Sequence, residues 1–302
     1  MTLAITNILG VNPVPYIITQ IMASNIGGTA TLIGDPPNIM IGSAAKLSFV
    51  DFILNTGFAI VCVMIAALSC FRFIYGNSLT VEDKNIKEVM KLDESKAIKS
   101  KKLLIQSVII LLIVALCFIF HDQLQMQSAT IALAAACLML IIGGQDPEDI
   151  ILSVEWPTIL FFVGLFIVVG GLEKVGVITV LANGLLSVTG GNITMTMLLI
   201  LWISAIVSSF LDNIPFVATL IPMIMTIQSH GVDVTPLWWA LSLGACLGGN
   251  GTLVGASANV VLSGISKNAG YPITFGKYFK IGFPMMILSV FICSVFLLIR
   301  FS

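Results

Sequence analysis

The sequence predicts an all-α, polytopic membrane protein built from two inverted repeats, and three observations carry this prediction. The 302 residues are 58% hydrophobic and only 10% charged, which indicates several membrane spans rather than a soluble domain. Two glycine-rich stretches, residues 24–38 and 245–259, interrupt long apolar runs. Most basic residues lie in one hydrophilic segment, and this bias sets the direction in which each span crosses the membrane.

The composition also excludes several classes of protein. The net charge is −1 and no basic patch is present, so we expect no nucleic-acid partner. The six cysteines lie singly in apolar segments without CxxC spacing, so we expect neither a disulfide framework nor a metal site. Because no Ser/His/Asp set, HExxH motif or phosphate-binding loop is present, we expect neither an enzyme nor a bound cofactor.

Long apolar runs predict the spans, since a helix needs about 20 apolar residues to cross a bilayer. The continuous spans are predicted at 52–74, 103–120, 127–144, 157–171 and 281–300. Two further crossings are discontinuous, 15–45 with a break at 24–38 and 236–267 with a break at 245–259. Bare backbone at bilayer depth is tolerated only beside protein or a water-filled cavity, so the two breaks predict a transporter's binding site.

Residues 192–230 form an apolar stretch that is interrupted at Leu211-Asp212-Asn213-Ile214-Pro215. A charge and a proline in mid-stretch predict a re-entrant hairpin with its tip inside the membrane. The alternative is two short spans joined by a buried turn. The preceding residues 172–190 are less apolar, and we expect them to lie along the membrane surface.

The charged segment orients the chain. Residues 72–102 contain eight of the 14 Lys and Arg residues, so the linker 75–102 is predicted to be cytoplasmic. With this threading, the only basic residues on the outer side of the membrane are Lys46, Lys174 and Arg300. The first broken helix then runs outward and the second runs inward, provided that 192–230 returns to its own side. We also expect Trp238 and Trp239 at the outer boundary, as interface anchors.

The repeats divide the chain into a partial first repeat at 1–74, the linker 75–102 and a complete second repeat at 103–302. The two glycine-rich stretches lie 221 residues apart, and we call this offset the repeat shift. It takes Gly27 to Gly248 and the first break onto the second. The repeat shift places a partner for the hairpin before Met1. We therefore expect that this sequence lacks an N-terminal part with one hairpin and its supporting spans.

Asp35 and Asp212 are the only acidic residues well inside apolar segments. An ionised carboxylate at membrane depth costs several kcal/mol unless it is paired or hydrated, which makes both residues functional candidates. A desolvated carboxyl group can hold a proton near neutral pH, as ion coupling requires. We favour this role more strongly for Asp212, because Asp35 has the alternative of capping the helix that follows it.

The ends of the half-helices supply the other candidate groups, carbonyls suited to cations and N–H groups suited to anions. The side chains expected to join Asp35 and Asp212 in binding an ion or substrate are Asn213, Asn38, Thr29, Thr31, Asn250, Thr252, Ser257 and Asn259. The alternative for each of them is to satisfy the broken backbone. The glycines expected to let the backbones approach closely are Gly27, Gly28, Gly34, Gly248, Gly249, Gly251 and Gly255.

Two of these motifs also carry a family resemblance. The run from Ser24 to Asn38, SNIGGTATLIGDPPN, resembles the signature of the arsenite permease and NhaD-type Na⁺/H⁺ antiporter family. That family belongs to the ion transporter superfamily, which includes citrate carriers. The run from Ser208 to Pro215, SSFLDNIP, resembles the second hairpin of the family. The resemblance covers essentially the whole chain, but the first hairpin of the family is absent.

The resemblance implies an elevator-type carrier, in which 15–45, 192–230 and 236–267 form the mobile transport domain. The remaining spans form a scaffold, which implies a homodimer through the scaffold spans in a plasma (inner) membrane. Divalent-anion carriers have Ser-Asn-Thr at the hairpin tip, where this chain has Asp212-Asn213-Ile214.

The resemblance thus favours an inorganic ion, carried by arsenite/antimonite efflux or Na⁺/H⁺ antiport and coupled to H⁺ or Na⁺. The alternatives are a citrate or dicarboxylate symporter, and a truncated, inactive paralogue or accessory membrane subunit.

Overall fold

The computed structural model describes residues 1–76, 81, 83–91, 98, 100–124 and 126–301. Within these residues every regular element is a helix, which confirms the all-α prediction. The helices are α1 (Thr2–Leu9), α2 (Val14–Thr29), α3 (Pro36–Ala45), α4 (Phe49–Tyr75), α5 (Asp83–Val89), α6 (Lys101–Ile119), α7 (His121–Leu124), α8 (Ser128–Ile142), α9 (Pro147–Leu152), α10 (Trp156–Lys174), α11 (Val177–Val188), α12 (Ile193–Phe210), α13 (Asn213–Ser229), α14 (Thr235–Gly248), α15 (Ser257–Asn268) and α16 (Phe275–Phe301).

Five helices of the described residues are long and apolar enough to cross a membrane, α4, α6, α10, α12 and α16. Four of them match the predicted spans 52–74, 103–120, 157–171 and 281–300. The fifth predicted span, 127–144, corresponds to α8, which has only 15 residues. The multi-pass architecture is therefore confirmed.

Both predicted interruptions are present, but they are shorter than predicted. The first lies between the end of α2 at Thr29 and the start of α3 at Pro36. The second lies between Gly248 and Ser257. Glycine costs only about 1 kcal/mol in a helix, so the glycines before each break stay helical. Proline suits the first position of a helix, which explains why α3 begins where it does.

The stretch at 192–230 consists of α12 and α13, which meet at the predicted interruption. Asn192 caps α12, because its Oδ1 accepts from the Met195 N–H at 3.1 Å. Asp212 caps α13, because its Oδ1 accepts from the Ile214 N–H at 3.1 Å. The helices have 18 and 17 residues, lengths that fit both the hairpin and the pair of short spans.

Helix α14 lies at the centre of the protein. It is buried along its length from Pro236 to Gly248, and α2, α3, α12, α13 and α16 pack around it. Trp238 and Trp239 are therefore core residues, 5% and 1% exposed, and the expectation that they are interface anchors is wrong. The Trp239 ring packs edge-on against Phe52, with 5.2 Å between the ring centroids. Neighbouring helices on all sides leave α14 no face for the membrane boundary.

The two spans that follow the broken helices, α4 and α16, lie antiparallel. Asn55 near the start of α4 contacts Arg300 near the end of α16. One turn further along α4, the Phe58 ring lies 6.3 Å from the ring of Phe296, which is one turn earlier in α16. This opposite direction of equivalent helices is the arrangement of inverted repeats.

The remaining helices lie at the periphery. Helices α6, α8 and α10 bury only one or two residues each, and α9 buries none. In the segment 172–190, which we expected at the membrane surface, α11 packs Ile178 and Ala182 into the core beside α13.

In the predicted linker, α5 packs on α1, and Asn85 donates to the Leu9 carbonyl at 3.0 Å. Residues 77–80, 82, 92–97 and 99 of that linker lie outside the described residues.

Candidate functional site

The two breaks lie directly against each other in the interior of the protein. The Asn25 side-chain amide, near the end of α2, donates to the Asn250 Oδ1 at 2.9 Å. It also donates to the Asn259 Oδ1 at 2.9 Å. Asn25 is 7% exposed and the other two are buried almost completely. Two segments from opposite ends of the sequence therefore form one polar centre.

One buried asparagine bridges each break. The Asn38 Nδ2 donates to the carbonyls of Thr29 and Thr31, at 3.2 and 3.0 Å. The Asn259 Nδ2 donates in the same way to the carbonyls of Gly249 and Thr252, at 2.7 and 2.8 Å. Carbonyls at the end of a helix lack helical partners, and these buried amides donate to them.

The two halves also exchange hydrogen bonds. Asn25 of the first half donates to the bridging Asn259 of the second. In return, the Cys246 Sγ of the second half donates to the Asn38 Oδ1 at 3.4 Å. The repeat shift takes Asn25 to Cys246 and Asn38 to Asn259. Each half therefore supplies a donor to the bridging asparagine of the other half, as a two-fold arrangement requires.

Glycines let the backbone fold back on itself at both breaks. A Cβ on Gly28 would lie 2.6 Å from the Gly34 carbonyl oxygen. The equivalent contact of the second half joins a Cβ on Gly249 to the Gly255 carbonyl oxygen, at 3.1 Å. Gly27 differs, because a Cβ there meets nothing within 4 Å.

Helix α12 covers the second break closely. The Ser208 Oγ donates to the Ala245 carbonyl at 2.6 Å, and the Ser209 Oγ donates to the Gly248 carbonyl at 2.9 Å. The Thr252 hydroxyl donates back to the Ser209 carbonyl. A Cβ on Gly248 would lie 2.6 Å from the Ala205 carbonyl oxygen, and Gly251 faces Ser209. Gly248, Gly251 and Gly255 are therefore needed for the contact with α12.

The two candidate acids meet where the tip of α12–α13 approaches the start of α3. Asp35 is the N-cap residue of α3, yet its carboxylate makes no capping bond. Instead the Asn213 Nδ2 approaches the Asp35 Oδ2 at 3.5 Å, and the charge of Asp212 acts on the same carboxyl group. Capping, which we considered for Asp35, is observed for Asp212.

The two half-helix starts have the same backbone and different side chains. The repeat shift takes Asp35 to Ala256, the N-cap of α15. Asp35 has φ −145° and ψ 137°, and Ala256 has φ −151° and ψ 150°. The acid is thus present at one of two geometrically equivalent places.

Burial separates the candidate residues into two groups. Those buried almost completely are Thr29, Asn38, Asn213, Asn250, Thr252 and Asn259. Asp35, Asp212 and Thr31 are half-buried, and Ser257 is exposed.

Three residues of the polar centre were not among the predicted site residues: Asn25, Ser242 and Cys246. The Ser242 Oγ donates to the Asn38 Oδ1 at 2.6 Å. All three lie inside helices. A single polar residue within an apolar run does not by itself indicate a site. The available signal was the repeat shift, which pairs Asn25 with Cys246. Among the described residues no group of three or more His, Cys, Asp or Glu side chains is placed to hold a metal ion.

Comparison with known proteins gives matches along the whole chain. The family model described as citrate transporter matches residues 1–244. An uncharacterized transporter of Mycobacterium tuberculosis is 41% identical over 304 residues, covering 100% of this chain and 71% of the relative. A 46 kDa membrane protein of Mycobacterium leprae is 39% identical over 307 residues, with the coverage again 100% and 71%. The P protein of Mus musculus is 30% identical over 380 residues, covering 99% of this chain and 46% of the relative.

Proposed function

Because the chain belongs to the citrate transporter family of membrane transporters, we propose that it is a secondary active carrier that moves an inorganic ion. The observation that carries this proposal is the approach of Asn213, at the tip of α12–α13, to Asp35 at 3.5 Å. A half-buried carboxylate without a capping bond is available for ion binding. We assign it the coupling ion, H⁺ or Na⁺.

The coupling follows from the placement of the two acids. With Asp35 and Asp212 both ionised, two negative charges face each other in a poorly solvated place. A proton or a sodium ion removes this repulsion, and the Asn213 amide completes the site with a neutral dipole. Loss of that ion restores the repulsion. The charge of the site therefore changes as the coupling ion binds and leaves.

The moving unit in this proposal consists of α2–α3, α12–α13 and α14–α15. The exchanged bonds of Asn25 and Cys246 tie the two broken helices together, and Ser208 and Ser209 tie α12 to them. Elements joined in this way move as one body, as in an elevator mechanism. The scaffold is then formed by the remaining spans, through which the protein forms a homodimer in the plasma (inner) membrane, with the linker 75–102 on the cytoplasmic side.

For the substrate we propose arsenite/antimonite export or Na⁺/H⁺ antiport. The reachable polar groups are the carboxylates of Asp35 and Asp212 and the hydroxyls of Thr31 and Ser257. Among the described residues, the hydrogen bonds of the breaks and of the tip involve no Lys or Arg. Such a site suits a cation or a neutral hydroxylated solute better than a multiply charged carboxylate anion.

A second candidate function is citrate or dicarboxylate symport, which the family description favours. The start of α15 supports it, because Ala256 supplies no acid there and helix N-termini attract anions. A truncated paralogue or accessory subunit without transport is the remaining alternative.

Flux into proteoliposomes containing the 302-residue chain tests the proposal. We expect either sodium-driven proton movement or arsenite uptake into everted vesicles, and Asp35→Asn is expected to lower it roughly tenfold or more. Asp233→Asn is the matched control, since this exposed acid lies in the loop before α14 and accepts hydrogen bonds from Thr235.

Unchanged coupled flux in Asp35→Asn would overturn the role of Asp35. Sodium-dependent uptake of labelled citrate or succinate without the other two activities would favour the symporter. If the unmodified chain moves none of these solutes, the non-transporting alternative stands.

A further inference from the structure

A cleft of about 510 Å³ lies between α4 and α16, away from the two breaks. Its floor is formed by small or buried side chains, Ala59 and Cys62, which leave a gap between the two helices. The Phe58 and Phe296 rings stand at its sides, and Phe58 is 69% exposed. Both helices are long and apolar enough to cross a membrane, so we expect this apolar cleft to face hydrocarbon.

Arg300 closes one end of the cleft, and Asn55 holds its guanidinium group in a fixed direction. The Arg300 Nε and Nη2 donate to the Asn55 Oδ1 at 3.0 and 2.7 Å. The Asn55 amide is itself fixed, because its Nδ2 donates to the Asp51 carbonyl at 2.8 Å. A guanidinium group has five N–H donors, so three remain available after these two bonds.

Among the described residues, the Arg300 guanidinium hydrogen-bonds to Asn55 and lies 5.7 Å from the centre of the Phe301 ring, and no carboxylate accepts from it. The nearest acid along α4 is Asp51, whose Oδ2 accepts from the Ser48 N–H and Oγ at 2.8 and 2.7 Å. That carboxylate completes the capping box of α4. Among the described residues, the hydrogen bonds of the Arg300 side chain go to Asn55 alone. With respect to the described residues, Arg300 thus keeps unbonded donors and its positive charge at the mouth of an apolar cleft.

We propose that this cleft binds one anionic phospholipid, with an acyl chain packed against the Phe58 and Phe296 rings and the phosphate on Arg300. Charge complementarity identifies this occupant. A phosphate oxygen pair matches the planar donors of arginine, and the cleft below it accepts only hydrocarbon. An arginine near the end of a spanning helix places its charge at headgroup depth. This site is independent of the proposed transport function.

Lipid retention by the purified chain tests the proposal. Native mass spectrometry in detergent would compare added phosphatidylglycerol with phosphatidylcholine of the same acyl chains. We expect preferential retention of phosphatidylglycerol, and Arg300→Gln is expected to lower it about fivefold. The matched control is Lys46→Gln, which removes another basic residue predicted on the same side of the membrane and should leave retention unchanged.

A second variant tests the cleft without touching the charge. Val295→Trp places an indole into the wall of the cleft and should also lower retention, whereas Phe291→Trp on the same helix, outside the cleft, should not. Circular dichroism melting identifies any variant that has lost its fold, and retention is compared among the folded ones.

Three results would overturn the proposal. These are equal retention of both lipids by the unmodified chain, unchanged retention in both Arg300→Gln and Val295→Trp, and displacement of phosphatidylglycerol by inorganic phosphate alone. A change from dimer to monomer in Val295→Trp would assign the cleft to a second copy of the chain instead.

Discussion

The two broken helices share a backbone and a hydrogen-bond frame, but they differ in two respects. In both, a buried asparagine spans the break, and the glycines of each fold its backbone back. The first half has Asp35 where the second has Ala256. The second half is covered by α12 at Gly248, whereas the equivalent Gly27 of the first half is exposed and faces open space.

This comparison separates what keeps the breaks intact from what gives them chemistry. Groups that occur in both halves, such as Asn38 and Asn259, donate to backbone carbonyls at the breaks, which need partners at membrane depth. Groups that occur in one half only, above all Asp35, are not needed for that purpose. The asymmetric positions are therefore the better candidates for ion binding.

The largest effect is expected at the bridging asparagines. Asn38→Ala or Asn259→Ala removes two buried hydrogen bonds to carbonyls of the break and the oxygen that accepts from Ser242 or Asn25, so each should lower the free energy of unfolding by about 3 kcal/mol or more. Thermal unfolding in detergent measures this as a fall in Tm. The exposed Ser257→Ala serves as the control and should change little. If only one of the two asparagines mattered, the equivalence of the halves would fail.

The next effect distinguishes the covered half from the open half. Gly248→Ala places a Cβ 2.6 Å from the Ala205 carbonyl oxygen and should cost about 2 to 3 kcal/mol. The equivalent Gly27→Ala meets nothing within 4 Å. It lies inside α2 and should stabilise by about 0.5 kcal/mol, because alanine suits a helix better than glycine. The same unfolding measurement applies, and equal losses in the two variants would contradict the difference in covering.

A smaller effect is expected from the exchanged donors. Asn25→Ala leaves the Asn250 and Asn259 side-chain oxygens without this donor and should cost about 2 kcal/mol. Cys246→Ala should cost about 1 kcal/mol or less, since the Asn38 Oδ1 keeps its bond from Ser242. A double-mutant cycle of Asn25 and Asn259 measures the coupling energy of the two side chains. We expect a nonzero value, because the two are in direct contact, and a value of zero would contradict the exchange.

The smallest effect separates the two acids by stability rather than by flux. Asp212→Ala removes the cap of α13 and should cost about 1 kcal/mol. Asp35→Ala removes no capping bond and should change stability by about 0.5 kcal/mol at most. Chemical or thermal unfolding of both variants, with Asp212→Asn as a cap-retaining control, checks the difference. A larger loss at Asp35 would show that its carboxylate supports the fold.

Much of the architecture was predictable, because glycine, proline and long apolar runs act locally. Pro36 and the neighbouring glycines located the first break, and the Asp212-Asn213 turn located the boundary between α12 and α13. The breaks were predicted to be longer than they are. A glycine such as Gly28 remains helical when its neighbours are helical, so α2 continues beyond the predicted start of the break.

The details of the site were less predictable, because they depend on contacts between distant segments. Trp239 looked like a residue of a membrane boundary, and only the packing of other helices around α14 places it in the core. Which acid caps a helix also could not be read from sequence. Asp35 and Asp212 both precede helices, but the Asp35 carboxylate makes no capping bond and instead faces Asn213 of another segment.

Asn25 donates to Asn259 and Cys246 donates to Asn38, so each half supplies a donor to the other. This exchange constrains how the sequences of the two halves can diverge in evolution. A substitution at either donor alters the surroundings of an asparagine that belongs to the opposite copy. The two copies must therefore accumulate replacements there in matched steps. The residue before each second half-helix, Asp35 or Ala256, is neither a donor nor a bridging asparagine of the exchange. This position can therefore differ between the two copies, as it does here.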